Sequence, residues 1–336
     1  MKKHLHTLQK RISRLVRPVR LTRLDRRTIK LNPADVACFL VVRNEEERLP
    51  YLLNYYREHG IAQFFVVENA STDGTQAFLL TQPDVALWFT DASFRKARCG
   101  TDWTLWLLRR YGMGRWCLVV DADELLYYPN SERRSIPDLC TGLEAGGYEA
   151  MAAIMLDMYS DRPIHETTYT AGQPFLEVCP FFDRQFYHVK LDRFYNHTHP
   201  PSYFGGMRQR VFGSDPLGQY GEHFYTLNKV PLFKYQSTLE FFDNFHWTSC
   251  TRLAAETGTL LHFKYFASFI RYAEGEVARK EHWNGGIQYA NYQAKLKQRG
   301  DLVLFDPEHS IRFQNSQQLV ELGIMTCEDI RSQCYT

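Results

Sequence analysis

Trp116-Cys117-Leu118-Val119-Val120-Asp121-Ala122-Asp123-Glu124 is the stretch whose reading decides the fold. A short apolar run, preceded by Gly112 and Gly114, passes directly into three acids. A run this short bounded by turn residues reads as a buried parallel strand. Ligands of such sheets bind in the crevice beyond the carboxyl ends of the strands. Asp121, Asp123 and Glu124 are therefore expected at the mouth of a pocket. Strand alternation places Asp121 and Asp123 on one side. Two carboxylates there can hold a hard divalent cation, Mg²⁺ or Mn²⁺, with positions left open for phosphate oxygens. The plainer reading is an acidic loop that caps the next element.

Working outward, residues 36–42 (Val-Ala-Cys-Phe-Leu-Val-Val) read as a first strand, followed by Arg43-Asn44-Glu45 and a helix that Gly60 stops. Residues 63–68 form a second strand. It ends in Asn69-Ala70-Ser71-Thr72-Asp73-Gly74-Thr75, a turn rich in side-chain hydrogen-bonding groups that opens a helix. A third strand is expected at 85–89, a tryptophan-bearing helix at 100–111, and a further strand at 151–158. Alternating strands and helices predict an α/β fold with a doubly wound, mostly parallel sheet and helices on both faces. Residues 159–206 show weak periodicity and read as functional loops. Late strands are expected at 208–212 and 259–265, then helices over 266–299 broken at Gly285-Gly286.

Composition bounds the function classes. The chain has 336 residues, 44% apolar and 15% aromatic, enough for a large core. No apolar run nears the ~20 residues of a membrane span. The N-terminus lacks the apolar centre of a secretory signal. The eight cysteines form no C-x-x-C pair, which argues against a zinc site or a disulfide framework. The net charge of +2 hides an asymmetry. Residues 1–30 carry eleven Lys or Arg and one acid; removing them from the totals of 40 and 38 leaves 29 against 37, about −8. Residues 1–34 thus read as a basic N-terminal arm. It is either a flexible, solvated tail or an amphipathic segment touching anionic membrane through residues 1–30. A basic arm on an acidic body gives little support for nucleic acid. The remaining division places a nucleotide-binding half at 35–150, a loop-rich half at 151–265, and helices and tail at 266–336.

Three motifs, in order, carry a resemblance to the family 2 glycosyltransferases of GT-A fold. Val42-Arg43-Asn44-Glu45 after the first strand resembles the family's opening. Val67-Glu68-Asn69-Ala70-Ser71-Thr72-Asp73-Gly74-Thr75 resembles its second-strand turn. Asp121-Ala122-Asp123-Glu124 resembles its D-x-D metal motif, in the D-A-D-E form of a bacterial subgroup. Leu261-His262-Phe263-Lys264-Tyr265 and His282-Trp283-Asn284-Gly285 are similar to that subgroup too, so the resemblance spans about 35–325.

The resemblance implies an inverting, metal-dependent transfer of a sugar from a nucleotide-diphosphate donor to a hydroxyl of a glycan or lipid-linked acceptor. Cell-surface polysaccharide or lipopolysaccharide synthesis, in the cytoplasm or on the inner face of its membrane, follows as an expectation. Asp121, Asp123 and His262 would hold Mn²⁺ or Mg²⁺. Arg43, Asn44, Glu45, Glu68, Asn69, Asp73, Arg98 and Asp121 would bind the donor. Glu68-Asn69 stands where the family has two aspartates. Asp73 and Ser71 also read as caps of the following helix, and His262 as a core histidine. Arg95, Lys96 and Arg98 could hold the diphosphate. Asp183, with Asp157 beside it, is the candidate general base; Asp161 and Glu177 are weaker ones. Arg208 and Arg210 could face an anionic group, and His246-Trp247 an acceptor. Two further readings stand: a catalytically degenerate nucleotide-sugar-binding protein, and a nucleotidyltransferase, which should carry a Gly-rich basic loop after its first strand.

Overall fold

The computed structural model describes residues 19–185, 187–190, 202–213, 225–242 and 244–327. Along the chain the first half runs β1 (Thr22–Arg23), β2 (Val36–Val42), α1 (Leu49–Glu58), β3 (Ile61–Glu68), α2 (Thr75–Thr81), β4 (Val85–Phe89), α3 (Thr101–Leu107) and β5 (Trp116–Val119). After the acids come β6 (Glu124–Tyr127), α4 (Ile136–Ala145) and β7 (Ala150–Asp157). Later elements are α5 (Gly206–Phe212), β8 (Asn228–Lys234), β9 (Gly258–His262), α6 (Ser268–Arg279) and α7 (Ile287–Gln298).

The nine strands form one sheet in the order β1-β4-β3-β2-β5-β8-β7-β9-β6. β2, β3, β4 and β5 are mutually parallel. β8 lies antiparallel between β5 and β7, and β9 runs parallel to β7. Six strands therefore share one direction, against β1, β8 and β6. The α/β class and the mostly parallel sheet stand as expected.

Alternate residues along the strands enter different cores, which is the physical content of helices on both faces. Cys38, Leu40 and Val42 join Leu49, Leu52 and Tyr56 of α1 and Leu139 and Leu143 of α4. Ala37, Phe39 and Phe65 join Trp103 and Leu107 of α3 on the other side. A third, aromatic cluster under α6 and α7 contains Tyr265, Phe269, Tyr289 and Tyr292. Gly60 ends α1 with φ +89, and a side chain there would strike Pro137 at 2.8 Å.

Several expectations change. The strand expected over 208–212 is α5, whose arginines point at buried acids. β6 and β8 had no clear signal. β8 contains Pro231, and its ladder is irregular between Lys229 and Leu232, as a residue without an N–H requires. β7, β8 and β9, from the 151–265 half, complete the sheet begun at β2.

The basic arm also shortens. Residues 1–18 lie outside the described residues, but 19–34 are not a free tail. β1 pairs with β4 at the sheet edge. Buried Asp25 accepts from the N–H of Leu87 at 2.7 Å and of Arg27 at 2.9 Å. The Arg27 guanidinium donates to the carbonyls of Leu80, Gln82 and Val85. Residues 191–201, within the stretch 159–206 expected as loops, likewise fall outside the described residues.

Asp25→Ala should strand the Leu87 N–H and destabilise the chain by about 1–3 kcal/mol, measured by urea unfolding. No change would mean that this segment is not anchored to the sheet.

Candidate active site

Strand order reverses between β2 and β5, because the crossover after β2 leads outward to β3 while β5 lies on its other side. A crevice opens there at the carboxyl ends. It holds a cavity of about 800 Å³. Val42, Arg43 and Glu45 border it from the end of β2, and Asn69 from the end of β3. Asp121, Ala122 and Asp123 follow β5, and His262 and Lys264 end β9. Phe94, Arg95 and Arg98 border it too, as do Arg279, His282 and Trp283; the two groups meet, with the Phe94 ring 5.3 Å from that of His282 and the Arg95 N–H donating to Glu281 at 3.1 Å.

Asp121 and Asp123 lie on a turn between β5 and β6 rather than on a strand, and their side chains diverge. Asp123 meets His262 Nε2 at 3.3 Å. Asp121 meets Lys229 Nζ at 3.0 Å, and the same ammonium lies 3.1 Å from buried Glu124. The carboxylate of Glu124 also accepts from the Asp121 N–H at 3.0 Å. Lys229 reaches these acids from the irregular part of β8. Burial alone would raise the Asp123 carboxyl; His262, with Arg48 and Lys264, holds it well below the usual range.

His262 is placed by sheet register, being paired with Asp157 across β9 and β7. Its Nδ1 lies 2.7 Å from Asp157. Asp157 in turn accepts from Nε and Nη2 of the Arg208 guanidinium. Burial would lower the His262 pKa, but Asp123 and Asp157 raise it. A histidine whose second nitrogen is oriented by a carboxylate is a common arrangement around metal ligands.

Asp123 and His262 thus fit a divalent cation, with Asp157 orienting the ring. The expected third ligand does not converge with them: Asp121 faces Lys229. Among the described residues, the one group with three ligand atoms mutually within 4.8 Å is Asp306, Glu308 and His309, on a surface turn away from the cavity.

The proposed bases are corrected. Asp183 is fully buried, accepts from Nε and Nη2 of Arg210, each at 2.8 Å, and from the Tyr159 hydroxyl, and it does not border the cavity. Asp157 is locked between Arg208 and His262 and does not border it either. Arg208 and Arg210 therefore serve these acids, not a ligand.

The donor residues divide. Arg43, Glu45, Asn69, Arg98 and Asp121 border the cavity. Asn44, Glu68 and Asp73 do not; they build the loops behind it. Asn44 has φ 55, and its side-chain oxygen accepts from Thr72 N at 2.7 Å. Buried Glu68 accepts from Ser71 N. Asp73 accepts from Thr75 N and Glu46 N and so ties the turn before α2 to the loop after β2, although the N-cap residue itself is Gly74. Asn69 donates to the carbonyls of Thr90 and Ala92. Arg43 donates to the carbonyls of Asn69 and Ala70, which leaves it on the cavity wall.

Sequence reasoning missed Arg48, Lys229 and Arg279. Arg48 is buried and bonds Glu45 at 2.9 Å. No motif marks Lys229, because only the pairing of β8 with β5 brings it to the acids. His246 and Trp247 both border the cavity. Burial, with the charge of Lys229, takes His246 down to about 3. Its Nδ1 faces the Asn228 carbonyl, so Nδ1 carries the hydrogen and Nε2 is an acceptor.

No protein-family model and no curated protein matches the sequence. Three solved structures illustrate the likeness found. A structure described as a glucose-1-phosphate thymidylyltransferase from Bacillus anthracis aligns over 80% of this chain and 85% of its own, at 10% identity and TM-score 0.30. A 4-diphosphocytidyl-2C-methyl-D-erythritol synthase aligns over 61% and 75%, at 13% and 0.26. The inositol-1-phosphate CTP transferase from T. maritima aligns over 51% and 68%, at 11% and 0.25. Overlap this weak carries no argument about activity, which rests on the site.

Burial pushes Glu45 up to about 7; Arg48 opposes this, and Asp123 and Asp121 add to it. Between its ordinary 4.5 and about 7, the folded chain holds a proton that the unfolded chain has released. That stabilisation is complete at low pH and is lost as pH rises to 7. Melting curves from pH 5 to 8 should show the wild type losing stability relative to Glu45→Gln. Parallel curves would contradict the raised pKa.

Proposed function

We propose that this chain is a metal-assisted transferase acting on a nucleotide-diphosphate ligand, and that the group moved is a sugar. The observation that carries the reading is the Asp123–His262 pair at the floor of a cavity whose wall is rich in cations. Arg43, Arg48, Arg95, Arg98, Lys264 and Arg279 border that cavity, against Glu45, Asp121 and Asp123. Six cations against three acids suit a ligand bearing two phosphates, provided a cation neutralises the Asp123 carboxylate. When bound, Mn²⁺ or Mg²⁺ would act as a Lewis acid on the diphosphate. The chain's own residues hold that cation, orient the ring of His262 through Asp157, and present Glu45 and Asn69 to the ligand.

The motif resemblance supports sugar transfer, as a family 2-like glycosyltransferase. The acceptor would be a glycan or lipid-linked saccharide of the cell surface, on the side of the cavity formed by His246, Trp247 and Trp283. Among the described residues no helix is long and apolar enough to cross a membrane. Arg20, Arg26 and Lys30 are exposed at the sheet edge and offer a place for peripheral contact with an anionic surface.

Nucleotidyl transfer is the competing reading, and it is the chemistry that the names of the three aligned structures describe. The loop after β2, Arg43-Asn44-Glu45-Glu46-Glu47-Arg48, has no glycine with which to wrap a triphosphate, and this favours sugar transfer.

The test is product analysis with Mn²⁺. UDP-, GDP- and dTDP-sugars should release nucleoside diphosphate and free or transferred sugar, and Asp123→Asn should reduce turnover at least a hundredfold. Pyrophosphate released from a nucleoside triphosphate plus a sugar phosphate, with no sugar-nucleotide cleavage, would overturn the proposal in favour of nucleotidyl transfer. Full turnover by Asp123→Asn would overturn the role of the metal.

A further inference from the structure

Two lysines face the acids at the carboxyl end of the sheet, and they are not equivalent. Lys229 is engaged by Asp121 and Glu124. Lys264 forms no ion pair among the described residues. Its ammonium lies 3.2 Å from the Tyr289 hydroxyl, a single hydrogen bond. It is otherwise surrounded by aromatic faces, with Nζ 4.8 Å from the ring centre of Tyr289 and 5.5 Å from that of Tyr292. An ammonium has three donor positions. Aromatic faces attract its charge but do not take its remaining N–H bonds. The residue nonetheless borders the cavity.

Its place in the chain explains its direction. His262 and Lys264 are two residues apart, and both border the cavity, while Phe263 between them is fully buried in the core. The N–H of Phe263 donates to the Asp123 carbonyl at 2.8 Å, which ties this strand end to the acidic turn. Lys264 is thereby fixed beside the Asp123–His262 pair. Arg98, which also borders the cavity, is paired with Asp102.

We propose that Lys264 grips the diphosphate of the nucleotide ligand. The aromatic cage and the Tyr289 hydroxyl hold the ammonium in place, so little side-chain freedom is lost on binding. Two unused donors meet phosphate oxygens that would otherwise lie beside Asp123 and Glu45. The proposal rests on the nucleotide-diphosphate reading of the cavity. It goes beyond that reading by assigning discrimination between one phosphate and two to a single side chain.

Calorimetric titration of UDP against UMP, and of GDP against GMP, tests this in the wild type, Lys264→Met and Lys264→Arg. Methionine preserves the length and apolar stem of the side chain. The wild type should prefer the diphosphate at least tenfold. Lys264→Met should bring that preference to within about twofold and change monophosphate affinity less than threefold. Lys264→Arg should restore part of the preference. A diphosphate preference that survives in Lys264→Met overturns the assignment and leaves the nucleotide reading intact. A wild type that binds neither nucleotide pair overturns both. Amine labelling of the native chain, read by mass spectrometry, needs no variant: UDP should protect Lys264 several-fold more than UMP, and equal labelling would overturn the assignment.

Discussion

The reversal of strand order between β2 and β5 is the constraint on which the rest depends. The crossovers leave β2 and β5 in opposite lateral directions, so no connection covers the gap at their carboxyl ends. Every residue argued to touch a ligand lies around that gap. β2 brings Arg43 and Glu45, β5 brings Asp121 and Asp123, and β9 brings His262 and Lys264 from the far side of the sheet. Strands from both halves of the chain lie in that sheet. They are one sheet with a single crevice.

Behind and beside the crevice, charge is balanced in separate pairs. Lys229 answers Asp121 and Glu124, Arg208 answers Asp157, and Arg210 answers Asp183. A buried acid left alone would be costly, and each of these acids has a partner with good geometry. Asp123 is the exception with a chemical consequence. Its partner is a histidine, which can give up its proton and accept a cation in its place. Lys264, which forms no ion pair among the described residues, is positive and suits an anion.

Much of the first half was legible in the sequence because local signals and tertiary structure agree there. Continuous apolar runs ended in turn chemistry at Val42, Glu68 and Val120, and each became a parallel strand ending at the crevice. The acidic turn after β5 and the strand that ends at His262 were legible as elements for the same reason. Asn44, Glu68 and Asp73 were misread because residues that build a turn and residues that touch a ligand share one vocabulary of short polar side chains. Asp183 and Asp157 were misread because a sequence does not say which arginine lies opposite an acid. Residues 208–212 alternate like a strand yet form α5, since Arg208 and Arg210 are drawn to buried carboxylates. Lys229 was silent, its role fixed by long-range pairing of β8 against β5.

Electron spin-echo spectroscopy of Mn²⁺ in the presence of UDP or GDP tests the central claim most directly, because it reads ligand nuclei independently of turnover. The account predicts coupling to one imidazole nitrogen in the wild type, lost in His262→Gln, together with phosphorus coupling from the nucleotide. Phosphorus coupling without any imidazole signal, or an imidazole signal unchanged in His262→Gln, would contradict the assignment of Asp123 and His262 as the cation-holding floor of the site.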